Sequence, residues 1–326
     1  MRVPHSGRAN RLALQLLFVI DAPDSLKAYK DTTVTMMRAA QARGHAIWVS
    51  EQEDLFLLKG EVSARATRIS LTDNDEDWYR AHESETRPLK KFGAVLMRKD
   101  PPFDLEYVSS TWLLSAAVRE GAKVFNAPDA VRDHNEKLAI AEFARFTSPT
   151  LVTRDAERLQ AFIDAERDVV LKRLDVMGGE NIFRVRLDDP NRNVIVETMA
   201  QGGRRSVMAQ RYIPEITKGD NRVILIDGKV VPHVLARIPK AGESRGNLAA
   251  GARGVAQPLS KRQREIAEAL GPALAKRGLL LVGLDIIGDY LTEVNVTSPT
   301  GFREITDQSG FDVPGMFMDA LESRLQ

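Results

Sequence analysis

Near its carboxy terminus the chain reads Gly283-Leu284-Asp285-Ile286-Ile287-Gly288-Asp289-Tyr290-Leu291-Thr292-Glu293-Val294-Asn295. Glu293 and Asn295 stand two apart, so on a strand both side chains emerge on one face, and a turn at Gly288-Asp289 brings Asp285 alongside. Three hard oxygen donors on one face suit Mg²⁺, which takes a few carboxylate or amide oxygens and completes its octahedron with water and phosphate. A solvated hairpin face is the plainer alternative. The apolar neighbours Val282, Leu284, Ile286, Ile287 and Val294 count against it, because they would bury the carboxylates without a compensating charge. A second segment, Leu171-Lys172-Arg173-Leu174-Asp175-Val176-Met177-Gly178-Gly179, ends an apolar strand in a Lys and a Gly-Gly loop. Backbone amides in such a loop approach phosphate oxygens closely and the Lys adds a compact charge; an ordinary hairpin with a surface Lys fits the same residues. No Rossmann or Walker glycine pattern is present. A third stretch, Ala236 to Gly254, holds four glycines and three arginines. It reads either as a cationic cover for an anionic site or as a plain surface loop. Arg98 and Arg222 are further cations near strand ends.

Other chemistries find no support. The chain has no cysteine, which removes thiolate nucleophiles, disulfides and thiolate zinc sites together. His5, His45, His82, His134 and His233 are scattered without metal or triad spacing, and Trp48, Trp78 and Trp112 read as core or interface anchors. Forty-six Lys plus Arg against forty-five Asp plus Glu leave a net charge of +1, which argues against a nucleic-acid binder. Arg2, Arg8 and Arg11 precede the apolar run Leu12–Ile20, but Asp21-Ala22-Pro23-Asp24 offers no signal-peptidase pattern. That run is too short to cross a bilayer, and no later stretch approaches ~20 apolar residues, so no membrane partner is expected. A cytoplasmic enzyme fits this composition.

The elements that must position these residues follow from periodicity. A length of 326 residues suggests two packed domains of ~100–200 residues each. Strand Leu12–Ile20, helix Thr32–Arg43, strand Ile47–Val49, strand Ala94–Met97, helix Leu105–Glu120 and strand Lys123–Phe125 give β-α-β order and a parallel sheet. Residues 60–92 are polar and irregular and carry no assignment. Beyond residue 128 closely spaced strands appear at Val169–Lys172, Ile182–Arg186, Ser206–Gln210, Arg222–Ile226 and Val230–Arg237, with a hairpin turn at Asp227-Gly228, so antiparallel sheets are expected. Ser260 caps a helix carrying Ile266, Ala269, Leu270, Leu274 and Ala275 that stops at Gly278. The fold class is α/β plus α+β.

Lys137 within Asn135-Glu136-Lys137-Leu138, a Lys before a Gly loop, arginines on antiparallel strands and a terminal Asp/Glu/Asn cluster together resemble the ATP-grasp ligases, and more narrowly the bacterial glutathione synthetases. The likeness runs from about Leu12 to Leu325 and is carried by Met97 to Asp104, Arg132 to Leu138, Met177-Gly178-Gly179, Leu235 to Pro239, Arg245 to Gly251 and Gly283 to Thr300. It implies an ATP-grasp fold behind an N-terminal β-α-β parallel-sheet domain. The divisions are a 1–11 extension, a 12–130 substrate-side domain and a 131–326 ATP-grasp domain, itself a lid at about 131–210 and a metal-binding part at about 211–326.

By the same resemblance Lys137, Lys172, Gly178, Gly179 and the segment Gln210-Arg211-Tyr212-Ile213 hold ATP, and Asp285, Glu293 and Asn295 hold Mg²⁺, with Mn²⁺ as a substitute. Arg222, Arg237 and Arg245 serve the transferring phosphoryl group and its cover. Arg98, Gly246, Asn247, Ser298, Pro299 and Thr300 meet the substrates. The implied reaction joins γ-glutamylcysteine to glycine through an acyl phosphate and yields glutathione, ADP and phosphate, in a homo-oligomer expected to be a tetramer. Arg173 and Val176 stand where the family usually has Pro and Gly. Two other readings are therefore carried alongside: a related carboxylate–amine ligase with a different donor or acceptor, and a degenerate member that binds without turnover.

Overall fold

Five consecutive buried residues, Leu16 to Ile20, open the fold on strand β1 (Gln15–Ile20). A strand apolar on both faces belongs in the interior of a parallel sheet. The chain is described here by a computed structural model covering residues 13–175, 181–240, 246 and 251–326. The expected extension 1–11 and Leu12 lie outside those residues. Helix α1 (Thr32–Ala42) follows, capped by the Asp31 carboxylate, which accepts the Val34 N–H at 2.8 Å. It returns the chain to β2 (Ala46–Glu51), parallel to β1.

Residues 60–92, which carry no assignment from the sequence, form strands, and the buried alternation of Val62, Ala64 and Ala66 resumes one residue out of step at Ile69 and Leu71 after a register shift. After β3 (Leu55–Leu58), β4 (Glu61–Leu71) and β5 (Tyr79–Pro88) make a long antiparallel pair. From Arg80 to Thr86 every residue of β5 is exposed, so neither face needs apolar side chains and no alternation marks the strand. Its charged outer edge discourages pairing with other chains. Strand β6 (Ala94–Met97), helix α2 (Leu105–Arg119) and β7 (Val124–Phe125) complete a sheet of order β3-β4-β2-β1-β6-β7, with β5 on the far side of β4. The strand order reverses between β1 and β6, and in such sheets ligands approach the carboxyl ends of the strands at that point.

Helix α3 (Pro128–Asp133) and 3₁₀ turns over Leu138–Phe146 lead into a second, antiparallel sheet of order β10-β9-β11-β8. Its elements are β8 (Thr150–Thr153), helix α4 (Ala156–Glu166), β9 (Asp168–Arg173), β10 (Ile182–Arg186), helix α5 (Arg192–Ala200) and β11 (Val207–Arg211). Helices α4 and α5 bury Leu159, Ile163, Val196 and Met199 against Val169, Leu171 and Val207, a core of its own. A third sheet has order β14-β13-β12-β15-β16: β12 (Asp220–Ile226), β13 (Lys229–Ile238), β14 (Arg253–Pro258), β15 (Leu281–Ile287) and β16 (Tyr290–Asn295). Helix α6 (Lys261–Lys276) starts from a reciprocal cap in which Ser260 Oγ accepts the Gln263 N–H and Gln263 accepts the Ser260 N–H. Helices α7 (Phe302–Ser309) and α8 (Val313–Leu325) pack beside α1, so the C-terminal end closes against the first sheet. Among the described residues no helix is long and apolar enough to cross a membrane.

The β12–β13 turn has the two-residue geometry expected of Asp227-Gly228, with φ of 49° and 75°. Its tip packs on α6, where Gly271 meets the Gly228 backbone; a Cβ added at Gly271 would collide with the Gly228 carbonyl oxygen. Glycine to alanine in a helix ordinarily stabilises by about 0.5–1 kcal/mol. Here Gly271→Ala is expected to cost about 1–3 kcal/mol instead, from forced overpacking. Urea unfolding checks this, and a gain in stability would show that the turn does not seat on the helix.

Candidate active site

One face of the third sheet collects the charged residues through strand register alone. Asp220 pairs with Arg237, Arg222 with Asp285, and Asp285 with Glu293. Because side chains alternate, Asp220 and Arg222 share a face of β12, as do Glu293 and Asn295 at the end of β16. A bulge between Asp285 and Ile286 adds one residue to β16; Thr292 there donates its hydroxyl to the Asp285 carbonyl at 3.1 Å. Such bulges re-aim neighbouring side chains. Gly283 makes room for this arrangement, since a Cβ at that position would come within 2.8 Å of Arg222 Cδ and 2.9 Å of Pro299 Cβ.

Charge pairing is dense. Arg222 Nε donates to Asp285 Oδ1 at 2.6 Å and its Nη2 to Oδ2 at 3.2 Å. Arg237 Nη2 lies 2.6 Å from Asp220 Oδ2 and 2.9 Å from Asp285 Oδ2. All three residues in contact with Asp285 Oδ atoms or carrying them are nearly closed off from solvent. Burial pushes the Asp285 carboxyl up, but Arg222 and Arg237 more than offset it and hold it well below the usual carboxylate range. Burial likewise works against the Arg237 charge, while Asp220 and Asp285 raise its pKa above the ordinary value. Lys137 Nζ sits 3.2 Å from Glu293 Oε1. Asn295 donates Nδ2 to the Gly283 carbonyl at 3.1 Å, which leaves Oδ1 as its atom for a cation.

Asp220 is the member that spacing could have revealed and did not. It stands two before Arg222, the same i, i+2 relation that singles out Glu293 and Asn295. One of its oxygens, Oδ1, is buried without a hydrogen-bond partner among the described residues. Burial pushes its carboxyl up to about 6, with Arg237 pulling the other way. Gly246 closes over it, since a Cβ there would lie 2.6 Å from Asp220 Cβ and 3.0 Å from the Arg237 carbonyl oxygen. The neighbouring Arg245 and Asn247 lie outside the described residues, as do Val176, Gly178 and Gly179 of the Gly-Gly loop.

From the second sheet, Lys172 and Gln210 lie on one face, and Lys172 Nζ donates to Gln210 Oε1 at 2.8 Å. Burial lowers the Lys172 pKa; Glu293, Asp220 and Asp285 of the third sheet act in the opposite direction, so its amine is within electrostatic reach of the opposing face. Gln210 also donates to Thr150 Oγ1 at 3.2 Å. Further along the segment the side chains leave the site. Arg211 pairs with Glu166 at 2.6 Å and Tyr212 lies under the Arg184 guanidinium, 3.5 Å from the ring centre, while Ile213 is buried.

The residues expected to meet the substrates lie where the first sheet reverses. Arg98, at the end of β6, donates to Thr33 Oγ1 at 3.1 Å and to the Pro299 carbonyl at 3.0 Å. Ser298 donates to Asp100 Oδ1 at 2.5 Å, and Thr32 Oγ1 accepts the N–H groups of Gly301 and Phe302 at 3.0 and 3.2 Å. Pro299 is buried and Thr300 exposed. The resulting cluster brings Arg98, Ser298 and Pro299 within one hydrogen-bonded loop. Among the described residues no three His, Asp or Glu side chains form a metal cluster. The donor set is two carboxylates and one amide, which fits a hard cation that keeps water and phosphate as its remaining ligands.

Two antiparallel sheets, with buried Lys137 and half-buried Lys172 beside a carboxylate–amide set, make the fold that of an ATP-grasp ligase. A D-cycloserine synthetase shares it, with a TM-score of 0.68 at 17% identity over 96% of this chain and 100% of that one. So does an ATP-grasp ligase solved with its minimal precursor, Mg and ADP, with a TM-score of 0.59 at 19% identity over 95% of this chain and 98% of that one. Sequence narrows the class. The profile of the prokaryotic glutathione synthetase N-terminal domain matches residues 14–132, and that of the prokaryotic glutathione synthetase ATP-grasp domain matches residues 136–310. Glutathione synthetase of Ralstonia nicotianae is 59% identical over 309 residues, 95% of each chain. That of Bordetella pertussis is 58% identical over 315 residues, 95% of this chain and 99% of its own. The chain belongs to the prokaryotic glutathione synthetases. It is an ATP-dependent ligase, and its reaction is the synthesis of glutathione.

The raised Asp220 carboxyl has a definite consequence for stability. Between about pH 4 and 6 the folded chain keeps a proton that the unfolded chain has lost, so this group's contribution falls as pH rises through that window. The unfolding free energy of the wild type minus that of Asp220→Asn should therefore drop by about 1 kcal/mol between pH 5 and pH 7. A pH-independent difference would mean that Asp220 is ionised throughout.

Proposed function

We propose that ATP lies between the second and third sheets, with its phosphates toward Lys137, Lys172, Arg222 and Arg237, and with Asp285, Glu293 and Asn295 holding Mg²⁺, or Mn²⁺ as a substitute. The observation that carries this reading is the single face on which Arg237, Asp220, Arg222, Asp285, Glu293 and Asn295 converge, opposite the Lys172–Gln210 pair. When bound, the divalent cation neutralises phosphate oxygens and stabilises charge on the transferring group.

The chain's own task is to bring two anions together. A carboxylate is a poor electrophile, because attack on it would have to expel oxide. Phosphorylation by ATP makes the cysteinyl carboxyl an acyl phosphate, and the glycine amine then displaces phosphate, losing a proton as the amide forms. Arg222, Arg237 and Lys172 offset the negative charge that would otherwise keep carboxylate and triphosphate apart. The amine of Lys172 donates to Gln210 and so is already held in place when a phosphate arrives. Arg98 has no carboxylate hydrogen-bonded to it among the described residues, which suits it to a substrate carboxylate. Ser298, Pro299 and Thr300 join that subsite to the metal strand. Of the stretch 238–254, expected as a cover with Arg245, Gly246 and Asn247, Gly246 is described and approaches Asp220 closely, which supports that role. Gly178 and Gly179 complete the phosphate contacts, and the Gln210–Ile213 backbone meets adenine.

By the same reading residues 12–130 form the substrate-side unit and 131–326 the ATP-grasp unit, with a lid to about residue 210. The enzyme works in the cytoplasm as a homo-oligomer, a tetramer by resemblance, without nucleic acid or membrane.

Phosphate release from ATP, Mg²⁺ and γ-glutamylcysteine over a panel of amino acids tests acceptor and turnover together. Glycine is expected to give the highest kcat/KM; a better acceptor would identify a sister ligase, and no release a binding protein. Glu293→Ala should lower kcat by about 100-fold or more with an unchanged circular dichroism spectrum. Near-normal turnover in that variant would remove Glu293 from the metal site.

A further inference from the structure

Strand β16 ends at Asn295, paired with Gly283, so the backbone N–H groups of Val296 and Thr297 have no strand to bond to. One buried side chain takes them both. Glu136 Oε1 accepts the Val296 N–H at 2.7 Å, the Thr297 N–H at 2.9 Å and the Thr297 hydroxyl at 2.9 Å. The Glu136 carbonyl accepts the Val294 N–H at 2.9 Å. Its neighbour Lys137 reaches Glu293 at 3.2 Å. Two consecutive residues thus grip positions 293, 294, 296 and 297, on both sides of Asn295. From the opposite direction Asn126 Nδ2 donates to the Val296 carbonyl at 2.8 Å.

A carboxylate is an odd choice for a brace. Glu136 is only 4% exposed, and burial together with nearby Glu293 pushes its carboxyl up. Removing such a charge from water is costly, and an apolar residue would avoid that cost. What an apolar residue cannot do is accept three donors at one point and fix the angle at which the chain leaves the sheet. That angle sets two things. Upstream, it orients Glu293 and Asn295; downstream, it starts the Ser298-Pro299 turn that Arg98 and Asp100 hold. Metal affinity is sensitive to outer groups that orient the ligands, which typically change it 10–100-fold.

We propose that Glu136 is a positioning residue for the metal-bearing strand, holding Glu293 and Asn295 in register with the substrate loop. This rests on the assignment of Asp285, Glu293 and Asn295 to the divalent cation. The readout is Mn²⁺ binding to the folded enzyme, followed by electron paramagnetic resonance in the presence of a non-hydrolysable ATP analogue. A merely structural brace would lower the melting temperature and leave the affinity of folded molecules alone.

Glu136→Ala is expected to weaken Mn²⁺ binding by about 10–100-fold at a temperature where circular dichroism shows it folded. Glu136→Gln keeps an acceptor oxygen at the same point and should stay within about 3-fold of wild type. Thr297→Val removes one of the three donors and should fall between them; it carries the test if Glu136→Ala does not fold. Wild-type affinity in folded Glu136→Ala or in Thr297→Val overturns the proposal, as does a Gln variant as weak as the Ala variant. Should the wild type itself bind no Mn²⁺ with the analogue, the metal assignment beneath the proposal fails first, and the two failures are told apart.

Discussion

Asp285 is locked between two arginines in the interior of a sheet, and most of the site follows from that one constraint. Buried ion pairs are weak evidence for stability, because the cost of dehydrating each charge can exceed the attraction gained. The third sheet nevertheless carries Arg222, Arg237, Asp220 and Asp285 on one face, each within hydrogen-bond distance of another. Such an arrangement makes sense where a strongly anionic guest arrives. The carboxylates hold the guanidinium groups at fixed positions beforehand, so an arriving phosphate would need no reorganisation, and the arginines keep Asp285 ionised. Mutual neutralisation in the free chain is the condition for strong electrostatics in the loaded one.

This requirement reaches outward through the chain. For Arg222 to lie flat across β15, position 283 must lack a side chain; for Asp285 to face Glu293 at the sheet end, β16 must bulge at Thr292. The turn after Asn295 has to be held by something other than the sheet, and Glu136 and Asn126 supply that hold from the segment joining the first sheet to the second. In this way the 125–137 stretch, which looks like a connector, becomes the point at which the parallel sheet and the third sheet are registered. The loop from Ser298 to Gly301 is tied to the same frame by Arg98, Asp100 and Thr32, all at the carboxyl ends or helix start of the first sheet.

Much of this was legible beforehand, for particular reasons. The β-α-β half announced itself because its strands are apolar throughout and its helices repeat at 3.6 residues. Glu293, Asn295 and Asp285 could be singled out as candidate cation ligands because the first two stand two apart and a glycine turn returns the chain to the third. By contrast, β5 was invisible, since an edge strand wet on both faces has no apolar alternation. Helices α4, α5 and α7, which bury only two or three residues each, went unassigned, as did α8, although it buries Val313, Phe317, Met318 and Leu321. Asp220 could have been found by the rule already applied to Glu293. No spacing rule would have found Glu136, because its partners lie some 160 residues away.

Residue types and short spacings by themselves determined which groups could serve the chemistry, which faces of which strands they occupy, and to which family the motifs are similar, because side-chain alternation and turn geometry are local properties. Which cation meets which anion was decided only by the tertiary structure. Strand order brings β13, β12, β15 and β16 side by side, and the second sheet lays Lys172 over them. Coulomb energy and desolvation depend on distance and on what else is near, and chains separated by tens to hundreds of residues become neighbours only when the sheets assemble.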